Sequence, residues 1–386
     1  MQKYKSNSAK YMLLTLTFIC TYSFIFFIGV TNNKSMKEKE IMKEVYSESG
    51  ENSKEMNEQY GILLENLFDY RNKAILEKDE NILKDLYDTD IKFGLWAYEH
   101  EVKKMKYLEN WSAKQGVHFK DIKTKVKIKK MREREKNLYG IICDVSTEYK
   151  YSYENQPNKE NMFRIGTYHY LHVKIKDDKY IITKEWYTDP FADSLNLENI
   201  KSDDIKKHII NHEAVDVQFT PQTQKAINYA HKYCGAAADE EYGLRYNSNY
   251  KDFNSDGGDC ANFASQIMYE SGRFKKNDTW NYDSGAGTKA WVNAQGFKNY
   301  IVYSGRGSYI GKGSYEEVFK DAYDLRPGDF VGYEKKGRIT HVSTVTGLDS
   351  RGYPLVTCHN TDRLLVPWDL GWSDKAIRFH LIKVNY

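Results

Sequence analysis

One change of period constrains this chain more than any other feature. Between residues 122 and 129, Ile122, Thr124, Val126 and Ile128 alternate with Lys123, Lys125, Lys127 and Lys129. A two-residue period puts the first set on one face of a β-strand and the lysines on the other. Tyr139, Ile141, Cys143, Val145, Thr147 and Tyr149 alternate in the same way. Two further strand patterns cover 167–175 and 180–186, with Asp177 and Asp178 as the turn between them. Upstream the period is helical. Ile62, Leu63, Leu67, Tyr70, Ala74 and Ile75 form one stripe, Leu83, Leu86 and Tyr87 a second, and Leu95, Trp96, Val102, Met105, Leu108 and Trp111 a third. Helices first and strands afterwards predict an α+β unit over residues 61–192 with an antiparallel sheet. The lysine face reads as a solvated sheet surface or a protected edge strand, ahead of a surface for anionic wall polymers or lipid head groups.

The N-terminus carries a second strong pattern. Residues 11–30 hold no charge over 20 positions, enough to span ~30 Å of hydrocarbon as a helix. Lys3, Lys5 and Lys10 precede this stretch, and the flank after it is mixed in sign. Residues 1–30 therefore read as an uncleaved transmembrane anchor, cytoplasmic at its start, with the rest of the chain exported. No small-residue cleavage site follows, which sets a signal peptide second. Residues 31–60 are a charged tether and 193–218 a charged linker. Across the 386 residues, 57 Lys and Arg face 54 Asp and Glu. That balance argues against a nucleic-acid binder. The five cysteines, at 20, 143, 234, 260 and 358, form no Cys-x-x-Cys pair, which argues against a zinc ribbon and against a disulfide-dense scaffold.

Residues 219–386 carry the chemistry. Thr220 followed by Pro221 starts a helix that stops near Gly235. The run NSDGGDCANFASQ, Asn254–Gln266, then places Cys260 in the first turn of another helix. Asp259 is its expected cap and lies beside any bound substrate. The partial positive charge of the helix start favours a thiolate at Cys260. Downstream, His341 sits in an alternating strand. His359 follows the strand Leu355–Cys358, and Asp349 to Gly352 form the turn of the expected hairpin. A cysteine on a helix start, a histidine on a strand and a polar residue on the next strand make a nucleophile, a base and an orienter. Cys143 and Cys358 read as buried apolar fillers. Trp280, Trp291, Trp368 and Trp372 are candidates to line a cleft for a glycan or peptide, Trp291 first among them, but core or domain-edge positions come ahead of that reading.

The motifs DGGDCANFASQ, LRPGDFVGY, HVSTVTG and HNTDR, in that order, resemble the bacterial putative amidase domain family, the sixth of that name. That family is similar to the papain-like, NlpC-type cysteine peptidases. The resemblance covers residues 220–386. It implies a papain-like α+β domain, amide hydrolysis, Cys260 as nucleophile and His341 as base. It leaves the third position to His359 or to its neighbour Asn360. The helices and sheet of residues 61–192 resemble, by pattern, the cystatin-like roll of the nuclear transport factor family.

Other motifs fall away. Asp252, Asn254, Asp256 and Gly257 imitate a calcium loop, but its twelfth position is Phe263 and not Glu. The glycines at 305, 307, 311 and 313 match neither a dinucleotide fingerprint nor a phosphate loop. No metal and no cofactor are expected. The expectation is a membrane-anchored, extracytoplasmic cysteine amidase. Its partners are a peptide or peptidoglycan amide and the membrane, with no nucleic acid. The rival is a non-catalytic wall- or protein-binding module on the same papain-like scaffold.

Overall fold

The computed structural model describes residues 54–176, 179–191, 203–235, 245–372 and 376–386. Three helices come first: α1 (Lys54–Glu77), α2 (Glu80–Lys84) and α3 (Lys92–Gln115). Four strands follow: β1 (Val117–Glu135), β2 (Leu138–Tyr153), β3 (Glu160–Lys176) and β4 (Lys179–Tyr187). The switch from helical to alternating period at about residue 117 is therefore the boundary between α3 and β1. Gly116 makes it, closing α3 with φ +68°. The expected anchor and most of the tether lie outside the described residues, as does the 177–178 turn. No helix among the described residues is long and apolar enough to cross a membrane.

The lysine row is matched by acids. Helix α1 runs along the edge of β1, where Asp69 Oδ1 accepts from the Thr124 N–H (2.9 Å) and Glu65 Oε1 from the Val126 N–H (3.0 Å). These carboxylates also lie near Lys123 (3.7 Å) and Lys125 (3.9 Å), while Lys129 pairs with Asp144 (2.9 Å). The edge of the sheet is thus covered by side chains from a helix.

The chain continues through α4 (Asp203–Asn211) and α5 (Pro221–Tyr233). Helix α4 lies inside the stretch expected to be linker. It forms there because Ile205 and Ile209, four apart on one face, are buried in the central core. Helix α5 starts as the sequence predicts, with the Thr220 hydroxyl accepting from the Thr223 N–H and Pro221 at the first position. Then come α6 (Cys260–Glu270), the short hairpin β5 (Tyr282–Asp283) and β6 (Ala286–Gly287), α7 (Lys289–Val292), α8 (Ala294–Tyr303), β7 (Gly307–Gly313) and α9 (Tyr315–Val318). Five strands end the chain: β8 (Phe330–Lys335), β9 (Arg338–Leu348), β10 (Pro354–Cys358), β11 (Asp362–Pro367) and β12 (Ile377–Val384).

The fold class is α+β, with one ten-stranded sheet in the order β1-β2-β3-β11-β10-β9-β8-β12-β7 and β4 paired to β3. Every strand pair in it is antiparallel. The stretches 61–192 and 219–386 meet within this sheet, because Gly166, Ile165 and Arg164 of β3 pair with Asp362, Arg363 and Leu364 of β11. The core crosses the same seam. Tyr107, Trp111, Tyr151 and Phe163 pack in one cluster with Tyr333, Tyr353, Trp368 and Phe379. On the opposite side of the C-terminal strands a second cluster gathers Cys260, Trp280, Trp291, Phe297, Phe330 and Val342. The expected hairpin is present, with Thr357 of β10 opposite Thr344 of β9.

Candidate active site

Cys260 is the first residue of α6, and the loop before it turns sharply. Gly257 and Gly258 have φ of +108° and +125°. Gly258 must also be bare, since a Cβ there would stand 2.2 Å from Asn360 Nδ2. Asn360 Oδ1 accepts from the Asp259 backbone N–H at 2.5 Å. Strand β10 has ended at Cys358, and Asn360 and Thr361 turn with φ of +67° and +57°. With the strand over, His359 and Asn360 are free of its alternation, and both reach Asp259.

Asp259 and Trp291, expected against substrate, sit elsewhere. Asp259 is buried, and its side chain makes no cap bond to the first turn of α6. Instead Oδ1 accepts from the Phe253 N–H (3.0 Å) and from Asn262 Nδ2 (2.8 Å). Asn262 Oδ1 then accepts from the indole N–H of Trp291 at 2.8 Å. Trp291 is fully buried, so it is a core residue and not part of a cleft wall. Its aromatic body fills the space under α6, and its one polar atom is satisfied by Asn262.

His359 completes this network. Its Nδ1 lies 2.5 Å from Asp259 Oδ2, and its Nε2 lies 2.7 Å from the Tyr233 carbonyl. Acceptors on both nitrogens require a proton on each, which is an imidazolium. Burial works against that charge, but the Asp259 carboxylate overcomes it and raises the pKa. The ring is sandwiched between Phe263 (3.7 Å, 6°) and Tyr246 (3.8 Å, 10°), whose faces suit a cation. His359 therefore ties the β10–β11 turn to α6. With both nitrogens committed it does not orient His341, and Asn360 contacts Asp259 instead.

His341 stands opposite Tyr333 of β8 and shares that face of β9 with Ser343, while Val342 faces α6. Its ring stacks on Trp372, with centroids 5.0 Å apart, and its Nε2 lies 3.3 Å from Cys358 Sγ. Burial, then the nearby Arg363 cation, push its pKa down to about 3. The imidazole is accordingly neutral at physiological pH, and the burial that keeps it neutral also weakens it as a base. No hydrogen bond joins it to Cys260. The group that meets Cys260 Sγ from β9 is the Val342 backbone N–H. Burial pushes the Cys260 thiol up to about 12, against the pull of the Val342 and Ala261 amides. Burial likewise pushes Cys358 up to about 11, with Arg363 opposing.

Two residues at this site escaped the sequence. Cys358 passes for an apolar filler, although its place at the end of the strand beside the histidine strand is a usable signal. Arg363 has no local signal for this role, since its position depends on β11. Trp372, a cleft candidate by sequence, instead stacks on His341. Among the described residues no group of three or more His, Cys, Asp and Glu side chains is placed to hold a metal ion.

Part of the chain is similar to known proteins. Residues 220–382 match the putative amidase domain family. The amidase domain thus covers less than half of the chain. A curated relative, the uncharacterized protein YjcM of Bacillus subtilis (strain 168), is 29% identical over 180 residues, which is 44% of this chain and 40% of the relative. The chain thus spans about two fifths of that relative's length. Among solved structures, the intermembrane space region of chloroplast protein ARC6 aligns with 33% of this chain and 95% of its own at 11% identity, with a TM-score of 0.23.

Proposed function

We propose that the amidase domain hydrolyses an amide through a Cys260 thiolate, with His341 as the base. The observation that carries this reading is the meeting of α6 and β9. Cys260 Sγ lies at a helix start and meets the Val342 backbone N–H of the strand that carries His341, whose neutral imidazole projects from the other face of β9. In the reaction the Cys260 thiol proton passes to His341 and Sγ bonds to the amide carbonyl carbon. The Cys260 backbone N–H at the helix start donates to the developing oxyanion. His341 returns the proton to the leaving amine. It then takes a proton from water, whose oxygen attacks the thioester and releases a carboxylate and the thiol. The first step in this reading requires His341 to leave Cys358 and turn to the α6 side of β9, and requires substrate or water to relieve the burial that holds Cys260 neutral.

The substrate in this reading is cell-wall peptide. The uncharged segment 11–30 supports a membrane-anchored, extracytoplasmic enzyme, and peptidoglycan is the amide-rich polymer there. A papain-like core and a cystatin-like roll are the folds that this reading assigns to residues 219–386 and 61–192.

The deep burial of both thiols favours a second reading, a wall- or protein-binding module without turnover. The rate of iodoacetamide alkylation against pH, read per cysteine by mass spectrometry on the full chain and on His341→Ala, separates the two. Modification of Cys260 at neutral pH that slows in the variant supports the amidase. Labelling of Cys358 alone, or no labelling below the ordinary thiol range near ~8.5, refutes Cys260 as nucleophile.

A further inference from the structure

Among the described residues, His341 has the Cys358 thiol as its hydrogen-bond contact and no carboxylate or amide to orient it, since His359 and Asn360 are committed to Asp259. What holds the imidazole plane is aromatic. Trp372 lies against it at 5.0 Å and 26°, and the same indole stacks on Tyr333 at 4.5 Å and 27°. The Arg363 guanidinium lies 5.5 Å from the Trp372 ring centre. The position of Trp372 thus fixes the plane of His341.

Trp372 is in turn placed by the N-terminal half of the chain. It ends the segment that leaves β11, and helix α3 grips that segment at two points. The Gly371 N–H donates to Tyr107 Oη at 2.7 Å. Asp369, fully buried, forms an ion pair with Lys114 and accepts from the Trp111 indole N–H at 3.2 Å. Tyr353 Oη, from the amidase domain, donates to the other Asp369 oxygen at 2.9 Å. Arg363 closes the clamp, donating to Leu370 O (2.7 Å) and Pro190 O (2.9 Å). Gly371 has φ +87°, and a Cβ there would stand 2.4 Å from Pro190 O, so the backbones approach too closely for a side chain. Each grip is buried, where a hydrogen bond or ion pair has little competition from water.

We infer that α3 is a built-in positioning element for the amidase site, acting on His341 through the Asp369–Gly371 segment and Trp372. Trp372 is a positioning residue, and so are Tyr107, Trp111 and Lys114, because the chain of contacts from α3 to the imidazole is direct. The assignment rests on His341 as the base, and it gives residues 61–192 a task beyond spacing the enzyme from a membrane.

The test uses the full chain with three substitutions. Trp372→Ala removes the stack, Trp372→Phe keeps an aromatic plane, and Tyr107→Phe removes only the acceptor for the Gly371 N–H. Two readouts are taken: the His341 imidazole titration by NMR, and the rate of iodoacetamide alkylation at Cys260. In Trp372→Ala the His341 midpoint is expected to move toward that of a free imidazole, and Cys260 alkylation at neutral pH to fall about tenfold. Tyr107→Phe is expected to move both in the same direction by about threefold, and Trp372→Phe to restore most of the loss. A merely structural role would lower the melting temperature and leave both readouts within twofold of wild type; that result, in variants with native circular dichroism, overturns the inference. The two hypotheses fail separately. If His341→Ala leaves Cys260 alkylation unchanged, the base assignment falls, while the His341 titration still reports whether α3 controls the ring.

Discussion

Two buried polar clusters share this sheet, and they follow opposite rules. In the N-terminal half, Arg71 pairs with Glu185 (3.1 Å) and Glu101 (3.6 Å), and Lys104 pairs with Glu101 (3.6 Å). Tyr87 Oη donates to Glu185 at 2.8 Å, and His169 Nδ1 lies 2.8 Å from the same carboxylate. Two cations balance two carboxylates, with hydroxyls and an imidazole filling the remaining sites. In the C-terminal half, Cys260, Cys358 and His341 are buried without a carboxylate among their hydrogen-bond partners in the described residues, and the Arg363 cation beside them donates to backbone carbonyls. Balanced charge settles a shape. Buried thiols and an imidazole held in their neutral forms by burial, with no charge partner to settle them, gain a charged form when water or substrate arrives, which is what a reactive centre needs. The comparison also separates burial from inertness: both clusters are equally closed to solvent, and only one is compensated.

The strongest way to break this comparison is to remove one member from each cluster. Cys260→Ala is expected to reduce amide hydrolysis at least about a thousandfold, some 4 kcal/mol of transition-state stabilisation. Amine release from peptidoglycan stem peptides measures it, and the midpoint of urea unfolding should barely move. Arg71→Met should do the reverse. It leaves Glu101 and Glu185 buried with less compensation, at a cost of about 3–5 kcal/mol. Urea titration reads that loss, while Cys260 alkylation below the unfolding transition stays at the wild-type rate. If Arg71→Met slowed alkylation as strongly as it lowered stability, the two clusters would be one coupled system.

Much of this was legible in the sequence where pattern is local. The period change at about residue 117, the Thr220–Pro221 helix start, the β9–β10 hairpin and Cys260 at the head of α6 all follow from spacing and capping chemistry. What escaped is what the tertiary fold decides. Ile62, Tyr70 and Trp96 fit the helical stripes yet remain 58%, 42% and 53% exposed, because a stripe says which residues share a face and not how far the neighbouring element extends. His359 looked like an orienter because it ends the strand next to His341. The turn at Asn360 and Thr361 carries it to Asp259 instead. The joining of β3 to β11 links residues almost two hundred apart, and no local rule announces such a pair. Trp372 was visible as an aromatic, but only the grip of α3 on its loop gives it a purpose.

Lowering the pH should sharpen the contrast by separating an imidazole limb from a carboxylate limb. His341 has its pKa pushed down to about 3, below the ~6.5 of an unfolded histidine. As pH falls below ~6.5 the unfolded chain binds a proton that the native site refuses, so this contribution to stability is full above ~6.5 and drains away toward pH 3. Glu185 and Glu101 are held below the ordinary carboxylate range, against burial, by Arg71, with His169 adding for Glu185 and Lys104 for Glu101. Their contribution is present above ~4.3 and is lost as pH falls through that value and below. His359, with its pKa raised, works the other way: its contribution is full below ~6.5 and declines as pH rises above it, and it is common to both proteins compared. Urea titrations between pH 7 and 4 should therefore show His341→Gln losing less stability than wild type by about 1–3 kcal/mol, with the difference still growing at pH 4, above the His341 pKa of about 3, while the carboxylate limb is shared by both proteins. Parallel curves for the two proteins would mean that His341 is solvated in the native state.

The smallest effect belongs to the exposed charges, and it tests whether pairing alone makes a cluster structural. Lys123 lies 3.7 Å from Asp69 and 4.0 Å from Asp121, but its side chain is 61% exposed. Water and salt screen such a pair, and ordering a long side chain costs entropy, so Lys123→Ser should change stability by less than about 1 kcal/mol. The backbone bond from Thr124 to Asp69, which does not involve the lysine, remains to hold α1 on the sheet edge. The measurement is a urea midpoint at low and at high salt. The difference between the two proteins should shrink as salt is added, whereas the cost of Arg71→Met should persist, because buried pairs are screened far less than exposed ones. A salt-insensitive loss at Lys123 as large as that at Arg71 would show that the lysine row, and not the buried network, secures α1 to the sheet.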